Sequence, residues 1–323
     1  MTPVIIAECC QNHCGDRKYL QEMIHAAAEN GATYVKLQAI RSSELTHRER
    51  FDTGEIAPDG TVKVIRRPFE DELVRLSKLD LSLDDEAWFV EECRRAGVAP
   101  MTTIFTRSAA REVKDLGYEA VKIASYDCGS PPLLRDAARW WSTVVVSTGA
   151  TFEEEVAVAA RELAGKRAVF LHCVTRYPNP LDSCHLRRMN WLRRYSPEVG
   201  WSDHTSVSKL GIQASQIALA LGADWIERHF TILPEDKTKD GPVSISPAQL
   251  AQLRSFASLS RRERMRIVAD SIPGWAVALG DARRPLSHEE FLNRDYYRGR
   301  FASRVGGRTV YNWEEDTSFR DDK

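Results

Sequence analysis

The chain has 323 residues, a formal net charge of −1 at pH 7, and contents of 43% hydrophobic and 28% charged residues. These proportions are close to globular averages and argue against a disordered, fibrous or repeat protein. The near-zero charge, with Lys and Arg spread along the chain, argues against a nucleic-acid-binding or membrane-surface protein.

Short apolar runs alternate with longer amphipathic stretches, a pattern typical of βα units around a parallel sheet. Eight runs are predicted to form strands, at residues 4–8, 33–38, 100–105, 120–125, 144–148, 168–173, 199–204 and 224–229. Helices are predicted at residues 19–29, 84–96, 108–116, 132–140, 152–163, 206–220 and 247–256. Eight strands fit a closed barrel, so the sequence predicts an α/β fold, a (β/α)8 TIM barrel.

Two segments fall outside the repeat. Residues 40–80, rich in charge and broken by Pro58 and Pro68, are predicted to form an insertion, either a lid or a solvated decoration. After the last predicted helix, the basic stretch SRRERMR leads into a tail that we expect to be irregular. The sequence therefore divides into a barrel over residues 1–260 and a C-terminal extension over residues 261–323.

The N-terminus and the cysteines indicate a cytoplasmic protein. MTPVIIAECC lacks the basic region and long apolar run of a signal peptide, and no apolar stretch approaches the roughly 20 residues that span a bilayer. Seven irregularly spaced cysteines fit a reducing compartment better than a disulfide framework. Metal binding by the cluster Cys9, Cys10 and Cys14 stays an alternative, but buried, unreactive thiols are the favoured interpretation.

Nearly every predicted strand ends in a polar or ionisable residue, and barrel enzymes place catalytic groups at the carboxyl ends of their strands. These residues are Glu8, Lys36, Thr103, Lys122, Ser125, Ser147, His172, Asp203, His204 and His229. Charged groups inside apolar runs such as YVKLQ and AVKIAS favour a functional cluster over a plain scaffold.

Lys36 and Lys122 lie within apolar runs, where an ammonium group is costly to bury unless an anion meets it. Together with Thr103, Ser125 and Ser147, they predict a site for a phosphate or a carboxylate. Two other interpretations stay open: a pair of structural salt bridges, or a desolvated lysine that forms a Schiff base, as in class I aldolases.

His204 and His229 end the seventh and eighth strands, so their imidazoles are expected to face each other across adjacent strand ends. This arrangement indicates a divalent metal site, although a hydrogen-bonded structural role is the alternative for each histidine. Oxygen ligands from Glu8, Asp127 or Asp240 favour Mn²⁺ or Mg²⁺ over zinc, because no paired thiolates are expected nearby. Glu8 and Asp127 also suit general-base or charge-stabilising roles, or else each balances a lysine.

Eight sequence segments form an ordered set that is far more specific than any one of them. They are IAECCQNHCGD (6–16), VKLQ (35–38), TTIFT (102–106), YEAVKIASYDCGSPPLLR (118–135), VVVSTGAT (144–151), LHCVTRYPNP (171–180), GWSDHT (200–205) and GADWIERHFT (222–231). Through this set, roughly residues 4–305 of the chain resemble the N-acetylneuraminate (sialic acid) synthase family.

The resemblance implies a (β/α)8 barrel that condenses phosphoenolpyruvate with N-acetylmannosamine or a related sugar aldehyde, giving an α-keto sugar acid and phosphate. Residues that match phosphoenolpyruvate-binding positions are Lys36, Thr103, Lys122, Ser125, Ser147 and Thr175. The metal ligands are matched by His204 and His229, with Mn²⁺ or Mg²⁺ as the cofactor. Sugar-facing or catalytic positions are matched by Glu8, Asp127, Tyr177 and Asp240.

The chain departs from the family pattern near the sugar. It reads as a short form without the C-terminal antifreeze-like domain, which supplies an arginine near the sugar's acyl group in this family. Arg294, Arg298 or Arg300 of the tail are candidates to cover the site instead, and a solvated basic tail is the alternative. Asp127 stands where the family usually has Glu, so its reach is expected to differ.

Two alternatives accompany the synthase prediction. One is a class I aldolase that uses Lys122 for a Schiff base. The other is a catalytically silent, sugar-binding barrel, suggested by the missing domain and by the departures from the family pattern at Cys14 and Asp127. The resemblance also implies a homodimer. Neither nucleic acid nor membrane is expected as a partner.

Overall fold

The structure, a computed structural model, describes residues 2–319. Its centre is a closed barrel of eight parallel strands in sequential order, in which the eighth strand pairs with the first. The strands are β1 (Val4–Glu8), β2 (Tyr34–Ala39), β3 (Ala99–Ile104), β4 (Ala120–Ile123), β5 (Thr143–Ser147), β6 (Arg167–His172), β7 (Glu198–Asp203) and β8 (Trp225–His229). The predicted eight strands and the TIM barrel are confirmed.

The barrel interior is filled by an apolar layer, because alternate residues of each strand point inwards. This layer contains Ile6, Tyr34, Met101, Ala120, Val145, Val169, Leu171 and Trp225. Trp225 stacks on Tyr34 with ring centroids 5.6 Å apart. It leaves no room for a side chain at Gly200 of β7, where a Cβ would lie 2.2 Å from the Trp225 carbonyl oxygen.

Helices cover the outside of the barrel. In chain order they are α1 (Arg17–Glu29), α2 (Arg50–Thr53), α3 (Phe69–Ser77), α4 (Leu83–Arg95), α5 (Arg107–Val113), α6 (Pro131–Trp140), α7 (Glu153–Glu162), α8 (Arg188–Leu192), α9 (Val207–Leu210), α10 (Gln213–Leu221), α11 (Pro247–Ala257), α12 (Arg261–Ser271) and α13 (His288–Tyr297). Within residues 2–319, no helix combines the length and the apolar character needed to cross a bilayer.

The predicted helices are confirmed with one correction. The stretch 206–220 forms two helices, α9 and α10, because Gly211 between them adopts a φ of +54°, outside the helical region. Several helix starts follow from local chemistry: Ser82, Ser246, Ser260 and Ser287 each form a capping box with the residue three positions later.

The insertion after β2 lies over the carboxyl ends of the strands. It contains α2, a two-stranded hairpin (Glu55–Ile56 with Val62–Val64) and α3. Leu45 and Leu76 of this region pack with Phe301 in a small buried cluster. The insertion is therefore joined to the C-terminal segment across the barrel mouth.

The expectation of an irregular tail is wrong for much of the described C-terminal segment. It holds α12, which packs on α10, then α13 and a hairpin of Ser303–Val305 with Arg308–Val310. Asn293 of α13 donates a hydrogen bond from Nδ2 to the carbonyl of Thr175 at 2.7 Å. Residues 261–319 thus reach the loop after β6, and the last four residues of the predicted extension lie outside the described chain.

Candidate active site

A cavity of about 380 Å³ opens at the carboxyl ends of the barrel strands. Barrel enzymes hold their active sites at this end, and the volume suits a small-molecule ligand. The twelve residues to which the sequence assigns a role all line this cavity: Glu8, Lys36, Thr103, Lys122, Ser125, Asp127, Ser147, Thr175, Tyr177, His204, His229 and Asp240. Two further strand-end residues of the predicted functional cluster, His172 and Asp203, are not part of its lining. The structure brings the twelve together, while the role of each stays a prediction.

Strand alternation explains the floor of the cavity. Glu8, Lys36, Thr103 and Lys122 each lie two residues after an inward apolar residue, so they form a polar layer directly above the apolar one. The register places Glu8 beside both Lys36 and His229, and Thr103 beside Lys122. Polar and charged residues that are far apart in the sequence therefore become neighbours in the barrel.

Two lysines and two glutamates form a buried charge network in this floor. Lys36 Nζ contacts Glu8 Oε2, donates a hydrogen bond to Thr103 Oγ1 at 2.7 Å, and lies 3.7 Å from Glu227 Oε2. Lys122 Nζ contacts Glu227 Oε1. Both lysines are thus ion-paired, and Glu227 is the carboxylate that they share.

Burial and neighbouring charges shift the pKa of two members of the network, Lys36 and Glu227. Burial lowers the pKa of Lys36 to about 7; Glu227 opposes this shift and Lys122 adds to it. For Glu227, burial acts to raise the pKa, but Lys122 and Lys36 outweigh it and hold the pKa below its usual range. Any change at Glu227 is therefore felt at both ammonium groups.

Hydroxyl groups and a close-packed backbone form one wall. Ser125 Oγ accepts a hydrogen bond from the Gly149 amide at 3.1 Å and lies 3.1 Å from Cys173 Sγ. Ser147 Oγ is buried and has no hydrogen-bond partner among the described residues. A Cβ at Gly149 would lie 2.6 Å from Cys173 Sγ and 2.7 Å from Thr175 Cγ2, so only glycine lets the backbone approach this wall.

His204 and His229 face each other with ring centroids 5.5 Å apart, and the Tyr177 ring lies 4.1 Å from His204. His204 Nδ1 lies 3.2 Å from the Val174 carbonyl, which assigns the proton to Nδ1 and leaves Nε2 as the electron-pair donor. Burial lowers the pKa of His204 to about 3 and also lowers the pKa of His229. Both imidazoles are therefore neutral, the form that binds a metal.

A thiol and a carboxylate lie beside His229. One ligand atom each from Cys10, His229 and Asp240 lies within 4.8 Å of the other two. Cys10 Sγ donates a hydrogen bond to Asp240 Oδ2 at 3.0 Å, and His229 Nδ1 is buried without a hydrogen-bond partner among the described residues. Cys10 is buried, as predicted, but it faces the cavity next to the predicted metal ligands.

Asp127 is held at the end of β4 by a residue from the C-terminal segment. Its Oδ1 accepts hydrogen bonds from Asn312 Nδ2 at 2.9 Å and from Ser130 Oγ at 3.3 Å. Burial raises the pKa of Asp127 to about 6, and the two hydrogen bonds and the charge of Arg298 limit that rise. The carboxyl group therefore titrates close to neutral pH.

The mouth of the cavity carries a group of cations around one carboxylate. Glu72 of α3 lies 2.5 Å from Arg300, 2.9 Å from Arg75, 3.6 Å from Lys239 and 3.9 Å from Arg67. Burial would raise the pKa of Glu72, but Arg75, Arg300 and Lys239 lower it to about 2. The four cations line the cavity.

Of the three tail arginines that the sequence offers as cover, the structure places only Arg300 in the cavity lining. Arg294 and Arg298 instead form ion pairs with Glu155 of α7, at 2.6 Å and 2.9 Å. These ion pairs hold α13 against α7 of the barrel.

Two residues of the floor, Glu227 and Ser202, are not among the residues predicted from the sequence. Each lies two positions before a predicted histidine, His229 or His204, and so shares its face of the strand. Ser202 Oγ donates a hydrogen bond to Glu227 Oε1 at 2.7 Å. The period of two was a sufficient signal for both.

Comparisons with known proteins show which proteins this chain is similar to. A family model described as the NeuB family matches residues 23–263. The N,N'-diacetyllegionaminic acid synthase of Campylobacter jejuni is 30% identical over 263 residues, covering 77% of this chain and 74% of that protein. The pseudaminic acid synthase of the same species is 26% identical over 304 residues, covering 93% and 81%.

The fold is also similar to a solved structure, the N-acetylneuraminic acid (sialic acid) synthetase of Leptospira borgpetersenii in complex with citrate. The TM-score is 0.68 at 25% identity, over 92% of this chain and 91% of that chain. The family model spans most of the sequence, and its matched region contains eleven of the twelve predicted site residues, all but Glu8. On these grounds the chain belongs to the NeuB family, a family that includes sugar-acid synthases.

Proposed function

We propose that this chain condenses phosphoenolpyruvate with the open-chain aldehyde of an N-acetylmannosamine-type or related sugar, giving an α-keto sugar acid and phosphate. We propose further that it acts as a cytoplasmic homodimer; its seven free cysteines suit a reducing compartment. The observation that carries the proposal is the gathering of Lys36, Lys122, His204 and His229 around one cavity.

The floor and wall of the cavity suit phosphoenolpyruvate. Lys122 Nζ has one described partner, Glu227, so two of its three N–H groups are available to anionic oxygens. Ser147 Oγ, buried without a partner among the described residues, and Ser125 Oγ add hydroxyl groups on the same side. These donors would bind the phosphate and hold the enol carbon in a fixed position. Thr103 acts through Lys36, whose ammonium group it orients.

The residues also fit the divalent metal, Mn²⁺ or Mg²⁺, that we propose as cofactor. His204 Nε2 and a ring nitrogen of the poorly hydrogen-bonded His229 would be ligands, with Asp240 as an oxygen ligand. When bound, the metal would act as a Lewis acid towards the sugar aldehyde.

Asp127 would supply a negative charge that stabilises the cation formed in the second half of the reaction. After the enol carbon attacks the aldehyde, positive charge develops at the phosphate-bearing carbon, and an ionised carboxylate nearby would stabilise it. A water molecule added at that carbon gives a tetrahedral intermediate that expels phosphate. With a pKa of about 6, Asp127 is ionised at neutral pH but readily accepts a proton.

The aldolase alternative is less well supported. A Schiff base requires a free amine, and Lys122 Nζ is engaged by Glu227 in the floor network. Borohydride reduction in the presence of pyruvate would trap a pyruvyl adduct on Lys122 if that alternative were correct. The synthase proposal predicts no adduct.

The direct test is phosphate release from phosphoenolpyruvate by the purified protein with Mn²⁺ or Mg²⁺ and a panel of mannosamine-type and neutral aldoses. We expect release that depends on the aldose, with a keto acid formed in equal amount. Absence of release with every aldose would contradict the proposal and favour the silent, sugar-binding barrel.

A further inference from the structure

The cations at the cavity mouth outnumber the carboxylates that lie near them. Arg67, Arg75, Lys239 and Arg300 share Glu72, and Asp240 adds a second negative charge near Arg75. The other acid at the rim, Glu289, is engaged by Arg176 at 2.8 Å. An excess of two positive charges therefore faces the entrance, on segments that lie above the floor.

Crowding affects the pKa of one of these cations and the hydrogen bonding of another. Burial lowers the pKa of Lys239 to about 8; Glu72 opposes this, and the three arginines add to it. Arg300 is 7% exposed, and its Nε is buried with no hydrogen-bond partner among the described residues. Arg67, Arg75 and Lys239 are partly exposed, but cations that share one carboxylate still repel one another unless a ligand supplies negative charge.

We propose that this mouth group binds a phosphoryl group carried by the sugar, so that the accepted aldose is a sugar phosphate. Guanidinium groups present paired N–H donors that match phosphate oxygens, and three of the four cations are arginines. The inference rests on the proposed function: the floor takes phosphoenolpyruvate, and the sugar reaches it from the mouth with its phosphate held at the rim.

The test compares the binding of N-acetylmannosamine 6-phosphate and N-acetylmannosamine by calorimetry, on the full chain with saturating phosphoenolpyruvate after metal removal. We expect the phosphorylated probe to bind at least about tenfold more tightly. In an Arg67→Gln/Lys239→Gln double variant the ratio should fall to about one. Arg94→Gln, which removes an exposed cation that does not line the cavity, should keep the wild-type ratio.

Equal affinity for the two probes in the wild-type protein would overturn the proposal. So would a double variant that weakens phosphoenolpyruvate as much as the sugar phosphate, because the cations would then serve phosphoenolpyruvate. Binding is measured without turnover, so a chain that releases no phosphate with any aldose fails the proposed function while this ratio is still measurable.

A second inference rests on the thiol beside His229. Cys10 Sγ, a His229 ring nitrogen and an Asp240 oxygen lie within 4.8 Å of one another, close enough to converge on one ion. His229 is 7% exposed, and its Nδ1 has no hydrogen-bond partner among the described residues. We infer that Cys10 is a thiolate ligand of the metal, its proton passing to solvent on binding.

This ligand would change which metal is preferred. A thiolate favours Zn²⁺, Co²⁺ or Fe²⁺ over Mg²⁺, whereas histidine and carboxylate ligands alone accept the harder ions. The Mn²⁺ or Mg²⁺ predicted from the sequence would then be bound more weakly than a softer ion.

Titration of the metal-free protein with Co²⁺ tests this independently of catalysis. We expect thiolate-to-cobalt charge-transfer absorption in the near ultraviolet that is lost in Cys10→Ser and Cys10→Ala. It should be retained in Cys14→Ser, which removes an exposed thiol that does not line the cavity. Zn²⁺ affinity should fall at least about tenfold in both Cys10 variants, since even outer-shell changes cost that much. Wild-type Co²⁺ protein without charge-transfer absorption would overturn the inference, whether or not the variants fold.

Discussion

Asn312 Nδ2 donates a hydrogen bond to Asp127 Oδ1 at 2.9 Å, although 185 residues separate them. The bond lowers the pKa of Asp127, which burial raises to about 6. Removing it in Asn312→Ala should raise this pKa further, by about one unit, because a hydrogen bond to a carboxylate is worth about 1.5 kcal/mol or more. The acid limb of kcat/KM against pH should therefore move to higher pH.

The control for this shift is Ser130→Ala, which removes the longer hydrogen bond to Asp127 at 3.3 Å. It should move the acid limb in the same direction by less. In Asp127→Asn, the limb should disappear, leaving only limbs that belong to other groups. An acid limb that stays in place in Asn312→Ala would show that Asp127 does not control it.

The buried carboxyl of Asp127 should also make stability depend on pH. Its folded pKa of about 6 lies above the ordinary 3.8, so the stability it contributes is full below pH 3.8 and is lost as pH rises through 6. Asp127→Asn should therefore gain about 2.5 kcal/mol relative to wild type between pH 4 and pH 8. Urea unfolding of both proteins at the two pH values measures this; a constant difference would contradict it.

The barrel and the cavity floor could be predicted from the sequence because both follow from local periodicity. Apolar runs of strand length, ending in Lys36, Lys122, His204 and His229, locate the strands and their carboxyl ends without long-range information. The alternation that places Glu227 on the same face as His229, two residues before it, is equally local, so the sequence alone can also identify Glu227.

The mouth could not be predicted in the same way. Arg75 and Arg300 meet at Glu72 only because the insertion and the C-terminal segment fold over the same strand ends. Asn312 reaches Asp127 through the same long-range packing. No spacing in the sequence encodes such contacts, since each depends on how an irregular segment crosses the barrel.

Glu227 is the shared counterion of Lys36 and Lys122, so its neutralisation should be costly. Glu227→Gln leaves both buried ammonium groups short of a partner and should destabilise the protein by about 3–5 kcal/mol. Because Glu227 raises the pKa of Lys36, the variant should also lower that pKa below about 7 and weaken phosphoenolpyruvate binding at neutral pH.

Urea unfolding and phosphoenolpyruvate titration at pH 7 give the two readouts for Glu227→Gln. The matched control is Glu91→Gln, which breaks an exposed ion pair with Arg94 and should change stability by less than about 0.5 kcal/mol. A Glu227→Gln protein as stable as the control would show that the two lysines are balanced by Glu8 alone.

Substitutions at two buried strand-end histidines distinguish a role in metal binding from a role in stability. His204 presents Nε2 to the cavity. His172 instead forms a hydrogen bond between its Nε2 and the Cys184 carbonyl at 2.8 Å, and it does not line the cavity. His204→Ala should therefore lose bound metal and turnover, and it should lose less stability than His172→Ala because its ring faces an existing cavity. His172→Ala should lose about 2 kcal/mol or more of stability, through a cavity and a lost hydrogen bond, and still bind metal.

Metal content after gel filtration and thermal melting of the metal-free proteins separate these outcomes. Melting without metal matters because a ligand that binds only the folded state raises the melting temperature by mass action, so holo-protein melts would mix the two effects. Full metal content in His204→Ala would remove His204 from the ligand set. It would leave Cys10, His229 and Asp240 as the ligands that converge on the ion.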